Sequence, residues 1–382
     1  MADYPMLYAD YAAAAPMRPE VADAMRPYWF SAFGNPDSAH PAGREAAIAL
    51  EKAKGELMNL FGGTDGDVLL TGSGTEANHA GILTLARRIR AKDPARKRIL
   101  LSAVEHASVL EMREQLEENG FFVSHINCDS NGKISIEHYK SILDGTVALT
   151  AVMGANNETG ARQPLLQIGE LAHGCNSCFF VDAVALAVDG PLAVDAWHAD
   201  GASVAGSKLG AGKGIGALYL RHTDHLPFYR PGGGQQHGLL CGTVPVAHAV
   251  GLAKAWNACL PKERARVANC EQVFLKTLFE NDSGGIRCVL PQDTQRIPGY
   301  LCLILPGADR VMLQERLAHR GICVSRGSAC DGQRRAGSHT LAAMGLAQEE
   351  IRDALRISFG FGSTEDEAVR LGKEIRSILE IK

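Results

Sequence analysis

Short apolar runs alternate with amphipathic stretches through the first two-thirds of this chain. Arg98-Ile-Leu-Leu-Ser102, Val147-Ala-Leu-Thr-Ala-Val152, Cys178-Phe-Phe-Val181, Ala202-Ser-Val-Ala205 and Gly216-Ala-Leu-Tyr-Leu220 read as buried strands. Helical spacing covers residues 75–91, 109–119 and 166–173 between them. This alternation predicts an α/β fold whose mainly parallel sheet is covered on both faces. Near residue 260 the texture changes. Strands at 301–305 and 355–359 then alternate with helices at 311–319, 348–355 and 364–381, as in a smaller α+β domain. There is no internal repeat and no low-complexity segment.

A length of 382 residues suits two packed domains, and 46% apolar with 21% charged residues is ordinary globular composition. The net charge of −4 gives no reason to expect direct contact with nucleic acid. No apolar run reaches membrane-spanning length, and the first residues lack the basic and apolar regions of a secretory signal. The expectation is a cytoplasmic protein with no membrane partner. Ten scattered cysteines are then expected to be reduced. Cys175-Asn-Ser-Cys178 is a lone CxxC with no second pair to complete a zinc site, so no metal is expected. Cys178, Cys302 and Cys323 adjoin apolar strands and read as small buried hydrophobes.

Five segments carry chemistry. Thr71-Gly-Ser-Gly-Thr-Glu-Ala-Asn78 is a glycine-rich turn feeding a helix, where backbone N–H groups and the helix dipole suit a phosphate. Gly74 and Thr75 would line that turn; the plainer reading is a helix capped by Thr75. Glu105-His106 follows a strand at the carboxyl edge of the sheet, where ligands of open α/β sheets bind. His106 there is an acid/base or a ring that stacks on a flat cofactor. Asp182 closes another strand, either as partner of a protonated pyridine nitrogen or as a helix N-cap. Lys208 follows a further strand and offers an amine for imine formation, or else a solvated surface charge. Cys330 ends Val324-Ser-Arg-Gly-Ser-Ala-Cys330, a thiol on a Gly/Ser-rich loop. The turn, histidine, aspartate and lysine fall in the order of an enzyme dependent on pyridoxal 5′-phosphate (PLP).

On these residues the chain resembles the cysteine desulfurases, class V aminotransferases among the fold-type I PLP-dependent transferases. The resemblance runs nearly end to end. It includes Leu7-Tyr-Ala-Asp10 through Pro16, Gly34-Asn-Pro-Asp-Ser-Ala-His40 and Met153-Gly-Ala-Asn-Asn-Glu-Thr-Gly160. It continues through Gly232-Gly-Gly-Gln235 with Gly242-Thr243, and Leu355-Arg356-Ile-Ser-Phe359. Ser325-Arg-Gly-Ser-Ala-Cys330 is similar to the longer-loop subgroup that includes NifS and IscS. The resemblance implies an N-terminal segment (residues 1–15) associated with the small domain, a large PLP-binding domain (16–260) and a small domain (261–382) bearing the Cys330 loop.

Roles follow position by position from the resemblance. Lys208 would hold PLP covalently and shuttle protons, Asp182 would pair with the ring nitrogen, and His106 would stack on the ring. Gly74, Thr75 and Ser207 would bind the phosphate together with Thr243 of the neighbouring subunit, which implies a homodimer. Asn157 would lie near the ring oxygen and the substrate carboxylate, which Arg356 would grip in a two-point contact. Cys330 would take the sulfur of L-cysteine as a persulfide, release L-alanine and pass the sulfur to an acceptor protein. Arg326, Arg334 and Arg335 would favour its thiolate, or form a solvated basic face.

Several positions depart from the family pattern. Ala185 replaces a Gln that contacts the ring oxygen, and Ala205 and Ser207 replace the Ser and His before the lysine. His237 and Leu240 stand at the usual arginines, and Cys241 at a serine. These departures keep two alternatives open. One is a different PLP reaction, such as selenocysteine or another β-elimination, or transamination. The other is a sulfur-relay or scaffold subunit with weakened PLP chemistry. Cys330 argues against simple transamination; Lys208, Asp182, His106 and Arg356 argue against a mere scaffold.

Overall fold

A computed structural model describes residues 6–223, 227, 229–280, 284–291, 294–308, 310–327 and 337–380. Twelve strands are β1 (Leu7–Tyr8), β2 (Asp67–Thr71), β3 (Arg98–Ser102), β4 (Phe122–Ile126), β5 (Val147–Met153), β6 (Cys178–Asp182), β7 (Gly201–Ala205), β8 (Gly216–Leu220), β9 (Arg287–Cys288), β10 (Tyr300–Ile304), β11 (Ile322–Cys323) and β12 (Ala354–Ser358). Seven form one sheet in the order β2-β8-β7-β6-β5-β3-β4. From β4 to β7 every pairing is parallel, while β8 runs antiparallel to both β7 and β2. All seven residues of β5 and all five of β6 are buried. That is why these strands read as continuous apolar runs rather than alternating ones: helices cover both faces.

On one face Leu100, Val152, Phe179, Val181 and Val204 join Leu57 and Trp256. On the other, Ile99, Leu101, Phe180 and Leu218 pack under Ile82 and Leu85. The helix Gly74–Lys92 supplies the second cover and lies along β7 and β8. The stretch read as one helix over 109–119 is two short ones, Ala107–Leu110 and Arg113–Glu118. The turn between them has ψ near zero at Glu111 and Met112, and Val109, Met112 and Leu116 all reach the core.

Beyond Pro261 a second sheet, β12-β10-β9, is wholly antiparallel. Alternation decides its faces. Leu301, Leu303, Leu355 and Ile357 meet one apolar cluster, whereas Cys302, Ile304 and Ala354 meet another. The helices Pro261–Leu278 and Glu365–Ile378 cover the first cluster. The latter buries Ala368, Leu371, Ile375 and Ile378 at helical spacing and starts with a capping box of Thr364 and Glu367. The helix expected over 348–355 stops at Arg352, because Ala354 and Leu355 pair with Ile304 and Leu303.

Near the chain start, β1 pairs in parallel with β11, and Asp10 bridges to Ser358. No helix among the described residues is long and apolar enough to cross a membrane. Among the described residues nine cysteines carry free thiols; Cys178 and Cys302 are buried as expected, while Cys323 is only partly so. Among the described residues no group of three or more His, Cys, Asp or Glu could hold a metal ion.

Candidate active site

Parallel strands deliver their carboxyl ends to one edge, and the chemistry gathers there. Past β3 come Glu105 and His106, past β5 Asn156 and Asn157, at the end of β6 Asp182, and past β7 Lys208. One cavity of about 260 Å³ is lined by Gly74, Thr75, His106 and Asn157. Asp182, Ser207, Lys208 and Arg356 complete the predicted residues around it. Thr243 does not line it and is exposed. Cys330, Arg334 and Arg335 lie outside the described residues.

The phosphate-type turn is built from β2 and the helix that follows. Ser73, not Thr75, caps this helix, its hydroxyl accepting from the Glu76 N–H at 3.1 Å. Gly74 is required by close approach. A Cβ there would meet Val184 Cγ2 at 2.9 Å and Ala205 Cβ at 3.0 Å. The exposed backbone of the helix start therefore faces the cavity beside Thr75.

Asp182 is buried, and neither oxygen is left to chance. Its Oδ1 accepts from the Val184 N–H at 3.0 Å and its Oδ2 from Asn78 Nδ2 at 2.7 Å. This is a turn contact, not the helix cap that the sequence left open: the following 3₁₀ turn is capped at Ala185. Lys208 sits on the one-turn helix Gly206–Leu209 that ends at Gly210, whose φ of 84° suits glycine. Its Nζ donates to the Ala13 carbonyl at 2.5 Å. Lys208 is thus no solvated surface amine.

Arg356 is almost fully buried. Its Nη2 donates to Asp10 Oδ1 at 2.8 Å and its Nη1 to the Asn157 carbonyl at 3.4 Å. Glu105 is fully buried, with Oε1 accepting from Ser102 Oγ and the Met153 N–H. Burial, reinforced by the nearby charge of Asp182, pushes its carboxyl up to about 8.

Three buried polar residues given no role from sequence complete the site: Asn78, Ser108 and Ser203. Asn78 was within reach of sequence reasoning, since it lies three positions after Thr75 on the same helix and so returns to the same side. The departures divide. Ala185 and Ala205 line the cavity with methyl groups. His237 and Leu240 instead turn to the chain itself: His237 Nε2 pairs with Asp67 Oδ2 at 2.7 Å, and Leu240 is in the core.

The donor set fits PLP: a buried carboxylate, an amine across the cavity, a glycine-tight helix start and an imidazole. Sheet, edge and donor set define a fold-type I PLP-dependent enzyme. The chain belongs to the class-V aminotransferase family, whose model matches residues 7–371. It is 33% identical over 378 residues to the putative cysteine desulfurase IscS 1 of Bacillus subtilis, covering 98% of each chain. It is 31% identical to the cysteine desulfurase NifS of Azotobacter vinelandii, over 98% of this chain and 92% of that one. A solved NifS-like protein superposes with a TM-score of 0.89 at 28% identity, covering 99% of this chain and all of the other.

Proposed function

We propose that this protein is a PLP-dependent L-cysteine desulfurase. It converts L-cysteine to L-alanine and leaves the sulfur as a persulfide on Cys330 for an acceptor protein. The observation that carries the reading is the single cavity joining Lys208, Asp182, His106 and Arg356 at the carboxyl edge of the sheet. When bound, PLP supplies an electron sink that labilises bonds at the amino acid's α-carbon and eases cleavage at the β-carbon.

The remaining work belongs to the chain. Lys208 holds the cofactor and moves a proton at the α-carbon. Asp182, with both oxygens held, keeps a negative charge beside the ring nitrogen. Gly74, Thr75 and Ser207 bind the phosphate, with Thr243 contributed to the neighbouring subunit's site in a homodimer; its exposure suits that role. Arg356 and Asn157 orient the substrate carboxylate, and Arg356 is held in place by Asp10. The thiol of Cys330 takes the sulfur: the carbon–sulfur bond breaks, a sulfur–sulfur bond forms, and the carbon left behind is protonated to alanine. No external oxidant is needed. A cytoplasmic setting, where thiols stay reduced, belongs to the same reading.

The test is to supply L-cysteine and a reductant and quantify alanine and sulfide together. Equal release is expected, and Cys330→Ser should abolish the protein persulfide while leaving PLP bound. Sulfide release unchanged in that variant would mark a lyase instead.

A further inference from the structure

We propose that Ser108 is a positioning residue that fixes His106 as its Nε2–H tautomer and, through Asn78, joins it to Asp182 in one hydrogen-bonded relay. The consequence for turnover rests on the desulfurase reading above; the tautomer does not.

Each step of the relay has a forced direction. A carboxylate accepts, so Asn78 must turn its amide NH2 toward Asp182 Oδ2, 2.7 Å away. Its Oδ1 then accepts from Ser203 Oγ at 2.5 Å, and its second amide hydrogen goes to Ser108 Oγ at 2.9 Å. With its oxygen occupied as acceptor, the Ser108 hydroxyl proton points to His106 Nδ1, also at 2.9 Å. The backbone N–H of Ser108 donates to the same nitrogen at 3.1 Å. A backbone N–H can only donate, so Nδ1 must offer a lone pair and the ring proton sits on Nε2. Asn78, Ser108 and Ser203 are all buried, which strengthens these bonds relative to the same contacts in water.

Protonating Nδ1 would set its new hydrogen against the fixed Ser108 N–H and cost the bond that the Ser108 hydroxyl donates, which disfavours the imidazolium form. Lys208 and Arg356 line the same cavity and oppose a further positive charge; Asp182 acts the other way, while the neighbouring Glu105, held neutral by burial, adds no charge at neutral pH. His79 bonds the Ser108 carbonyl, and His339 Nε2 lies 2.8 Å from the Glu105 carbonyl, so both touch backbone beside the ring. A neutral ring is what a stacking partner needs beside a lysine and a protonated pyridine nitrogen.

The experiment is ¹⁵N NMR of histidine-labelled protein, with PLP bound and after its removal, using His106→Gln to assign the resonances. Unmodified protein should show Nδ1 bare and Nε2 protonated at neutral pH. Ser108→Ala removes one donor to the neutral ring, so His106 should protonate roughly half to one pH unit higher, three- to tenfold in proton affinity. Ser108→Thr, which keeps the hydroxyl, should restore the original midpoint. With L-cysteine, the acid limb of kcat/KM should move by the same amount. A proton on Nδ1 in the unmodified protein, or an unmoved midpoint in Ser108→Ala, would overturn the proposal. A protein that never forms alanine from cysteine would sink the desulfurase reading, while the NMR result would still decide the tautomer.

Discussion

Replacing Ala185 by Gln and Ser207 by His should tighten the hold on PLP and raise basal turnover. Ala185 and Ala205 present only methyl groups to the cavity where the family pattern places donors. A hydrogen bond to a charged group contributes about 1.5–3 kcal/mol. Two missing bonds therefore weaken non-covalent binding by about a hundredfold or more, at tenfold per 1.4 kcal/mol. Water filling the gaps restores part of this, so the full loss of both bonds is an upper bound. The covalent bond proposed for Lys208, the ion pair proposed for Asp182 and the helix start at Thr75 would offset more. The double variant returns the donor at 185 and exchanges the short Ser207 hydroxyl for an imidazole. At the low end of that range a gain of roughly tenfold in retention is expected. The assay is exhaustive dialysis followed by absorbance of the PLP retained, with alanine release measured without any partner. Equal retention in both proteins, with the unmodified enzyme fully active alone, would refute the reasoning.

Further outcomes follow from the site. Borohydride reduction should fix the cofactor's mass on the peptide containing Lys208, and Lys208→Ala should lose both the yellow colour and the adduct; a labelled peptide elsewhere would reassign the lysine. Glu105 is held neutral in the fold up to about pH 8 but ionises near 4.5 when exposed, so the unfolded chain binds fewer protons in that window and stability falls as pH rises through it. Glu105→Gln keeps the accepting oxygen and should flatten that decline in urea-unfolding midpoints; an unchanged slope would remove Glu105 as its source. Sedimentation should give a homodimer, and an active, PLP-bound monomer would contradict the role given to Thr243.

The central strands were legible because a doubly covered parallel sheet leaves unbroken apolar runs, as in β5 and β6. The helix Pro41–Phe61 was not read, since its buried stripe leans on Ala46 and Ala53, which carry a weaker apolar signal than Leu or Ile. The break at Glu111–Met112 escaped for a different reason: apolar spacing survives a turn that returns the next residues to the same core. In the site, titratable residues at strand ends could be named one by one. Their support could not. Buried Ser108 and Ser203 look in sequence like ordinary helix and strand polars; the spacing from Thr75 gives the side of the helix that Asn78 occupies, but only three-dimensional closure shows that every hydrogen has a destination.

The position of Arg356 shows why the chain start belongs to the site. A guanidinium buried to this degree needs a negative partner, because an unpaired buried charge is strongly destabilising. Asp10 is that partner, and it arrives through the segment that begins at Leu7. Leu7 and Tyr8 pair with Ile322 and Cys323, and the Ala12 N–H donates to Ser358 Oγ at 2.8 Å, all within the C-terminal part. The next residues reach the large sheet: the Ala13 carbonyl accepts from Lys208 Nζ, and the Ala15 N–H donates to the Ser207 carbonyl at 2.7 Å. Within nine residues the segment touches both Lys208 and Arg356. Ala12 and Ala13 form part of the wall of the same cavity. This strap therefore ties Lys208 and Arg356, residues far apart in sequence, to one another across the cavity that both line.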